Sequence, residues 1–572
     1  MSKLPLNPFN NIAISMSGGG YRATAFHLGT LAYLSTILWE DKSLLERIRI
    51  LSTVSGGTFT GVKYATTIKN GGTIKDCYND LVSQMRQVDL VTDALKYLAD
   101  DTQWPSTKQR TLINAFASVY HERFESEYLG KLWDDHPNIH LKEISFNATE
   151  FNFAIPFRFQ KSEKTKDENG NYTYGYIGNK KVQIPLEMAK EIRLADIIAA
   201  SSCFPLGFEP INFPDDFIDN QSQYLNDPTL LPTTTYNGDP IAYPIGIMDG
   251  GINDNQGIDA VWWAEKRMSR YPEELKEYTS DDDKSVDLYI ISDVSSPYIE
   301  RFIRSENKSF SFIGNCSFRN IRRIGLGLIG LSVFMIISAL FCSQVLSVML
   351  STFIATITLI MGAVALSISN GFVGLTKRLG VPEYFTERLK PFDTLNFNTY
   401  VNLILNRANS VKTLVANVFM KRIRGGNYSK IYSDETWRPR LIMNAIYELC
   451  PKRVNKRKRY YANNLSKELL EPSQKILDVS QKAKRMKTTL WFTEEELIGD
   501  QNMLNTLIAC GQYTICFNLL EHIERDIMGD EELFKTYSHE LRSKISTLHD
   551  TLKTDWKHYN ENPYFMVEQW RS

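Results

Sequence analysis

Between Arg323 and Lys377 the chain carries 53 consecutive residues without a charge. No other feature narrows the possible folds so far. Inside it lie two strongly apolar stretches, Ile324 to Cys342 and Val345 to Ser369, separated by Ser343-Gln344. As helices they would be about 28 and about 37 Å long, against a bilayer core of about 30 Å. Each can cross, the second with tilt. Soluble helices of this length carry a polar face, and these stretches have none. Arg319, Arg322 and Arg323 precede the pair, and Lys377 and Arg378 follow it. Positive charge at both flanks places both ends in the cytoplasm. The expectation is a multi-pass, two-helix transmembrane hairpin over 324–376.

Outside that segment the chain reads as a soluble protein with a large core. It has 572 residues, 43% of them hydrophobic, with 65 Lys+Arg against 66 Asp+Glu. That balance implies no nucleic-acid partner. Seven cysteines are scattered without CxxC spacing, which fits reduced thiols in a reducing compartment. The first twenty residues lack the basic n-region and long apolar run of a secretory signal. The catalytic part is therefore expected in the cytoplasm.

Asn11 to Ser17 (NIAISMS) is a short apolar run that ends in three glycines. Tyr21 to Glu40 then repeats apolar residues at helical spacing. The pattern recurs at once: Ile48 to Val54 (IRILSTV) reads as a buried strand, Ser55-Gly56-Gly57 as a turn, and Thr58 to Ile68 as a helix. Two strand–turn–helix units in succession point to an α/β fold with a parallel sheet. Further strands are expected at Ile144 to Asn147, Ile245 to Met248 and Val286 to Val294. The last (VDLYIISDV) is nearly all apolar, as a central parallel strand should be. Gln160 to Tyr176, with Asn169-Gly170, reads as an exposed loop or hairpin. From about Asn402 onward the pattern is mainly helical.

Three places carry chemistry. Ser55 sits between a predicted strand and a predicted helix, where a sharp turn would present its hydroxyl at the top of the sheet. The usual G-x-S-x-G is here Thr53-Val54-Ser55-Gly56-Gly57, so threonine replaces the first glycine. Read alone, Ser55 serves as well as a helix N-cap. Gly18-Gly19-Gly20 can aim backbone N–H groups at one point, the arrangement a tetrahedral oxyanion needs. Arg22, two residues on, could bind a phosphate head group. The same run also fits a dinucleotide fingerprint with Glu40 downstream; Ser55, rather than an acid, ending the second strand argues against it. Asp249-Gly250-Gly251 follows an apolar run, which puts a carboxylate at a strand end, although a plain turn aspartate reads the same way. None of the eight histidines follows a strand in a tight turn. A direct Ser55–Asp249 dyad is thus the better expectation than a triad.

The combination is recognisable. Ser17-Gly18-Gly19-Gly20-Tyr21-Arg22-Ala23 resembles the SGGG[FY]RA oxyanion motif of cytosolic phospholipase A2 and the wider patatin-like phospholipase family. Ser55 in VSGG stands at that family's nucleophile position, and Asp249-Gly250-Gly251 resembles its dyad aspartate motif. Leu194 to Pro210 (LADIIAASSCFPLGFEP) resembles the family's helix-to-strand segment, and Phe146 to Phe151 (FNATEF) its NATDL-like strand end. The landmarks occur in family order over about residues 10–295.

The resemblance implies a patatin-like three-layer α/β fold with a parallel-rich central sheet. It implies Ser55 as nucleophile, Asp249 as base, an oxyanion hole from Gly18, Gly19 and Gly20, Arg22 near the head group, and no metal or other cofactor. The organisation expected is a catalytic domain over 1–300, the hairpin over 324–376, and a helical region over 380–572 that packs on or completes the catalytic domain. The function expected is a membrane-anchored lipid acyl hydrolase, a serine esterase of phospholipase A type, with membrane phospholipid as substrate. The alternatives are an acyltransferase using the same dyad and a non-catalytic membrane scaffold. The basic run Lys452 to Arg459 could meet anionic lipid or form a solvated loop. Head group, acyl position and oligomeric state have no signature in the chain.

Overall fold

The computed structural model describes residues 7–571 apart from 88, 103, 105–107, 134–139, 164, 167–171, 174, 206, 218–232, 237–238, 243–244, 271–284, 296–308, 310–312, 342–344, 379–393, 490 and 499–501. The chain divides into two compact units. One comprises residues 1–299 together with 418–572, and the other residues 300–417.

The larger unit is built on a ten-stranded mixed sheet. Its strands are β1 (Ile12–Met16), β2 (Ile48–Val54), β3 (Glu143–Glu150), β4 (Ile155–Lys161), β5 (Ile177–Gly178), β6 (Gln183–Ile184), β7 (Ile211–Phe213), β8 (Ile245–Asp249), β9 (Leu288–Asp293) and β10 (Leu441–Ala445). The main path runs β6-β5-β4-β3-β2-β1-β9-β10, and β8 pairs with both β3 and β7. From β3 through β10 the neighbours on this path are parallel, while β4 and β8 lie antiparallel to β3.

The strands are apolar throughout because both faces are covered. Ile12, Ile14, Met16, Leu51, Leu288 and Ile290 face one core. Ala13, Ile50, Tyr289 and Ile291 face the other, as the two-residue period of a strand requires. Packed on the first face are α1 (Gly20–Thr36), α2 (Gly56–Lys69), α3 (Ile74–Gln87), α4 (Leu112–Arg123) and α5 (Leu194–Ser202). The second face takes α6 (Ile258–Met268), with Trp437 stacked on Tyr289 at 3.9 Å between ring centroids.

In the smaller unit, α7 (Phe318–Leu340) and α8 (Val345–Arg378) form the apolar pair. They meet through small residues. A Cβ built on Gly362 would lie 2.8 Å from the Gly325 carbonyl oxygen, and the Ser332 hydroxyl donates to the Ala355 carbonyl at 2.7 Å. Such close packing suits helices in lipid. Their outer faces carry Leu326, Phe334, Leu340, Leu346, Phe353 and Ile360, all exposed within this unit. The Ser343-Gln344 link lies outside the described residues. α9 (Phe397–Thr413) follows, and Phe318 packs on Tyr400 with ring centroids 5.0 Å apart.

The region after 418 is mainly helical, as its apolar spacing predicts, and it also carries one strand of the sheet. It supplies β10, which lies beside β9 in parallel register, Tyr289 opposite Leu441. Around it are α10 (Met420–Ser433), α11 (Pro451–Tyr461), α12 (Gln474–Arg485), α13 (Met503–His522) and α14 (His539–Glu561). α13 is buried along its whole length. The segment Met503–Met528 is a third stretch long and apolar enough to cross a membrane, but it lies in the core of the larger unit. It sits so close to α1 that a Cβ on Gly511 would lie 2.0 Å from the Phe26 carbonyl oxygen, and one on Gly29 would lie 2.1 Å from that of Ile508. At Gln160 to Tyr176 a short hairpin pairs Thr165–Lys166 with Tyr172–Thr173; Asn169-Gly170 lies outside the described residues.

Candidate active site

Register explains how Ser55 and Asp249 meet. β2 ends with Val54 opposite Asn147 of β3. Where β2 stops, β8 takes over the same edge of β3, with Asp249 opposite Ala148. The two residues thus leave their strands at adjacent positions. Ser55 enters α2 at φ 50° and ψ −120°, a conformation strained for any residue with a side chain and one that persists only when its surroundings enforce it.

The Ser55 side chain stands beside the Asp249 carboxylate and helps hold its proton affinity down. Burial raises the Asp249 carboxyl from 3.8 to about 6, opposed by the Gly251 N–H and by Ser55 itself. The Gly251 N–H donates to Asp249 Oδ1 at 2.7 Å, and the Thr149 hydroxyl to the Asp249 carbonyl at 2.9 Å. The Asp249 and Gly250 N–H groups bond to the carbonyls of Cys203 and Ser201, at the end of α5. A carboxylate so held is ionised at neutral pH yet more basic than a solvated one, as proton abstraction requires.

The three glycines are not equivalent. Gly18 donates its N–H to the Asn255 carbonyl at 3.1 Å, and so is occupied. Gly19, at φ 153°, and Gly20, at φ 61°, have no backbone N–H partner among the described residues. A Cβ on Gly56 would lie 2.1 Å from the Gly20 carbonyl oxygen. The N-termini of α1 and α2 therefore abut beside Ser55, and their dipoles favour negative charge there.

Arg22 is placed differently from the expectation. Its Nη1 donates to the Met486 carbonyl at 2.8 Å, while the Tyr21 N–H donates to the Thr489 carbonyl at 2.8 Å. The stretch after α12 is thereby laid along the start of α1. Burial lowers the Arg22 guanidinium to about 10, against the pull of Asp293. His27 is fully buried between Ser292 (2.8 Å) and the Ser17 carbonyl (2.9 Å), where burial pushes it down to about 4. It is a neutral packing residue whose ring nitrogens are taken by Ser292 and Ser17.

The basic run of α11 divides. Arg453 pairs with Glu448 at 3.2 Å, and Arg457 bridges Glu448 and Glu521; Lys456 and Arg459 stay exposed. Among the described residues no three His, Cys, Asp or Glu side chains gather as they would around a metal ion.

Sequence reasoning missed Ser201, whose hydroxyl accepts the Ser55 N–H at 2.9 Å, and Asn255, which takes the Gly18 N–H. Ser201 lay within a noted landmark, but a serine near a helix end carries no signal of its own. Nothing in sequence spacing marks Asn255.

No curated protein matches the chain. Residues 14–262 match the family model described as patatin-like phospholipase. The match takes in residues 14–16 of β1, both helix N-termini, Ser55 and Asp249. The chain therefore carries a patatin-like phospholipase domain, the fold of a lipid acyl hydrolase.

Proposed function

We propose that the protein is a membrane-anchored phospholipase A-type enzyme that works through a Ser55 acyl-enzyme with Asp249 as the base. The observation that carries this reading is Ser55, held in a strained turn beside a buried carboxylate whose proton affinity is raised to about 6.

The ester carbonyl oxygen sits against the Gly19 and Gly20 amides, and Gly18 allows the close approach. Ser55 Oγ attacks the carbonyl carbon as its proton passes to Asp249. Negative charge on the tetrahedral oxygen is met by the amides and by two helix N-termini; one such donor is worth about 10²–10³ in rate. Collapse expels the lysophospholipid oxygen, which takes the proton from Asp249. Water then gives a proton to Asp249 and attacks the acyl-enzyme, and the fatty acid leaves as Ser55 is reprotonated. Arg22 serves to hold the 486–489 stretch over α1. The apolar outer faces of α7 and α8 support an anchor in the bilayer that is also the substrate.

The test is fatty-acid release from mixed phospholipid vesicles by detergent-solubilised protein. Release that depends on Ser55 supports the reading. Equal release by wild type and Ser55→Ala refutes it.

A further inference from the structure

Threonine stands at position 53, where the nucleophile turn ordinarily has glycine. The fold makes room for it: a Cβ on Gly61 would lie 2.4 Å from Thr53 Cγ2. The Thr53 and Thr58 hydroxyl oxygens lie 3.0 Å apart, and those of Thr58 and Ser201 lie 2.8 Å apart. Ser201 Oγ donates to the Asn147 carbonyl at 2.7 Å and accepts the Ser55 N–H at 2.9 Å. Thr53, Thr58 and Ser201 are fully buried.

These contacts have one direction. The single hydroxyl proton of Ser201 goes to Asn147, so Thr58 must donate to Ser201, and Thr53 to Thr58. Ser201 then makes one donation and two acceptances, the full capacity of a hydroxyl. The chain starts two residues before Ser55, touches the backbone of Ser55, and ends on Asn147. Asn147 is the β3 residue opposite Val54, next to the one opposite Asp249. A Cβ on Gly250 would lie 2.5 Å from that same Asn147 carbonyl oxygen.

We infer that Thr53, Thr58 and Ser201 form a one-way hydroxyl chain that positions Ser55 against Asp249. It rests on the Ser55–Asp249 reading above. All three are positioning residues, acting through the backbone of the turn. Thr53 is thus a replacement for the usual glycine that gives the turn an extra hydrogen-bond donor.

The test measures the rate at which a fluorophosphonate ester labels Ser55 in the detergent-solubilised full chain, beside fatty-acid release and the thermal midpoint. Thr58→Val keeps the shape and removes the hydroxyl. It should slow labelling per folded molecule, and kcat, about tenfold with KM little changed, the scale of one buried hydrogen bond. Thr58→Ser should restore both to within about threefold, since the hydroxyl returns. Thr53→Val, which removes only the terminal donor, should cost less than Thr58→Val, and Ser201→Ala should cost most.

Equal labelling by Thr58→Val and Thr58→Ser would overturn the chain. So would valine variants that lose thermal stability yet label at the wild-type rate per folded molecule, because that is a purely structural role. Wild type that labels at Ser55 but releases no more fatty acid than Ser55→Ala refutes lipid hydrolysis, and the labelling series still decides the chain. A wild-type Ser55 that resists the reagent overturns both.

Discussion

Asp249→Asn should make the protein more stable while removing its activity. Burial moves the Asp249 carboxyl from 3.8 to about 6. Each factor of ten in proton affinity is about 1.4 kcal/mol, so the ionised group costs the folded state about 3 kcal/mol. The sign follows from where protons bind. Between 3.8 and about 6 the folded chain holds more of this proton than the unfolded chain, so stability falls as pH rises through that window. Above it the full cost applies; below it there is none. Asparagine keeps the shape and an oxygen for the Gly251 N–H but carries no charge. Unfolding of the detergent-solubilised chain in urea should therefore give the variant an advantage of about 3 kcal/mol at pH 8 and about 1 kcal/mol at pH 4.5. In parallel, wild-type kcat/KM should drop about tenfold per pH unit below about 6 and level off above it, as expected when the base becomes protonated. A variant no more stable than wild type at pH 8, or an advantage that does not shrink in acid, would refute the argument from burial.

Four further outcomes are expected. Ser55→Gly relieves the positive φ at that turn and should raise stability by about 1 kcal/mol while ending fatty-acid release; denaturation midpoints check it. Gly511→Ala would drive a methyl into the Phe26 carbonyl, 2.0 Å away; the cost should be about 3 kcal/mol or more, read as a lowered thermal midpoint. Lys108→Met removes one partner of Asp196, which it meets at 2.6 Å in a buried site shared with Arg193, and should cost about 3–5 kcal/mol in urea unfolding. The full chain should sediment with membranes and resist alkaline extraction, while a variant lacking 324–376 should leave the membrane fraction; retention of that variant would sink the hairpin as the anchor.

Much of this architecture was legible because local and global signals agree. The strand–glycine–helix units at 12–36 and 48–69 have the apolar periodicity that their burial enforces, and the uncharged stretch forms two helices long and apolar enough to cross a membrane. β10 was not legible. Leu441 to Ala445 (LIMNA) is too short for periodicity to separate strand from helix, and only the edge of β9 decides the matter. Ser55 and Asp249 could be picked out because each follows an apolar run and precedes glycine. Their adjacency could not, since it depends on β3 pairing with β2 along one half and β8 along the other. The separation of Gly18 from Gly19 and Gly20 depends on the Asn255 carbonyl, a loop contact with no sequence counterpart. The move of Arg22 onto Met486 joins residues 464 positions apart, beyond any spacing rule.

The placement of β10 has a consequence for the life of the chain before it is complete. The sheet lacks its last parallel strand until residues 441–445 arrive, and those residues are made only after α7 and α8. On a chain emerging N-terminus first, β9 keeps an open edge, a hazard for mispairing, throughout synthesis of the apolar helices. A ribosome that stopped before residue 441 would release an unfinished sheet. The order of synthesis itself makes completion of the sheet wait on the whole uncharged segment.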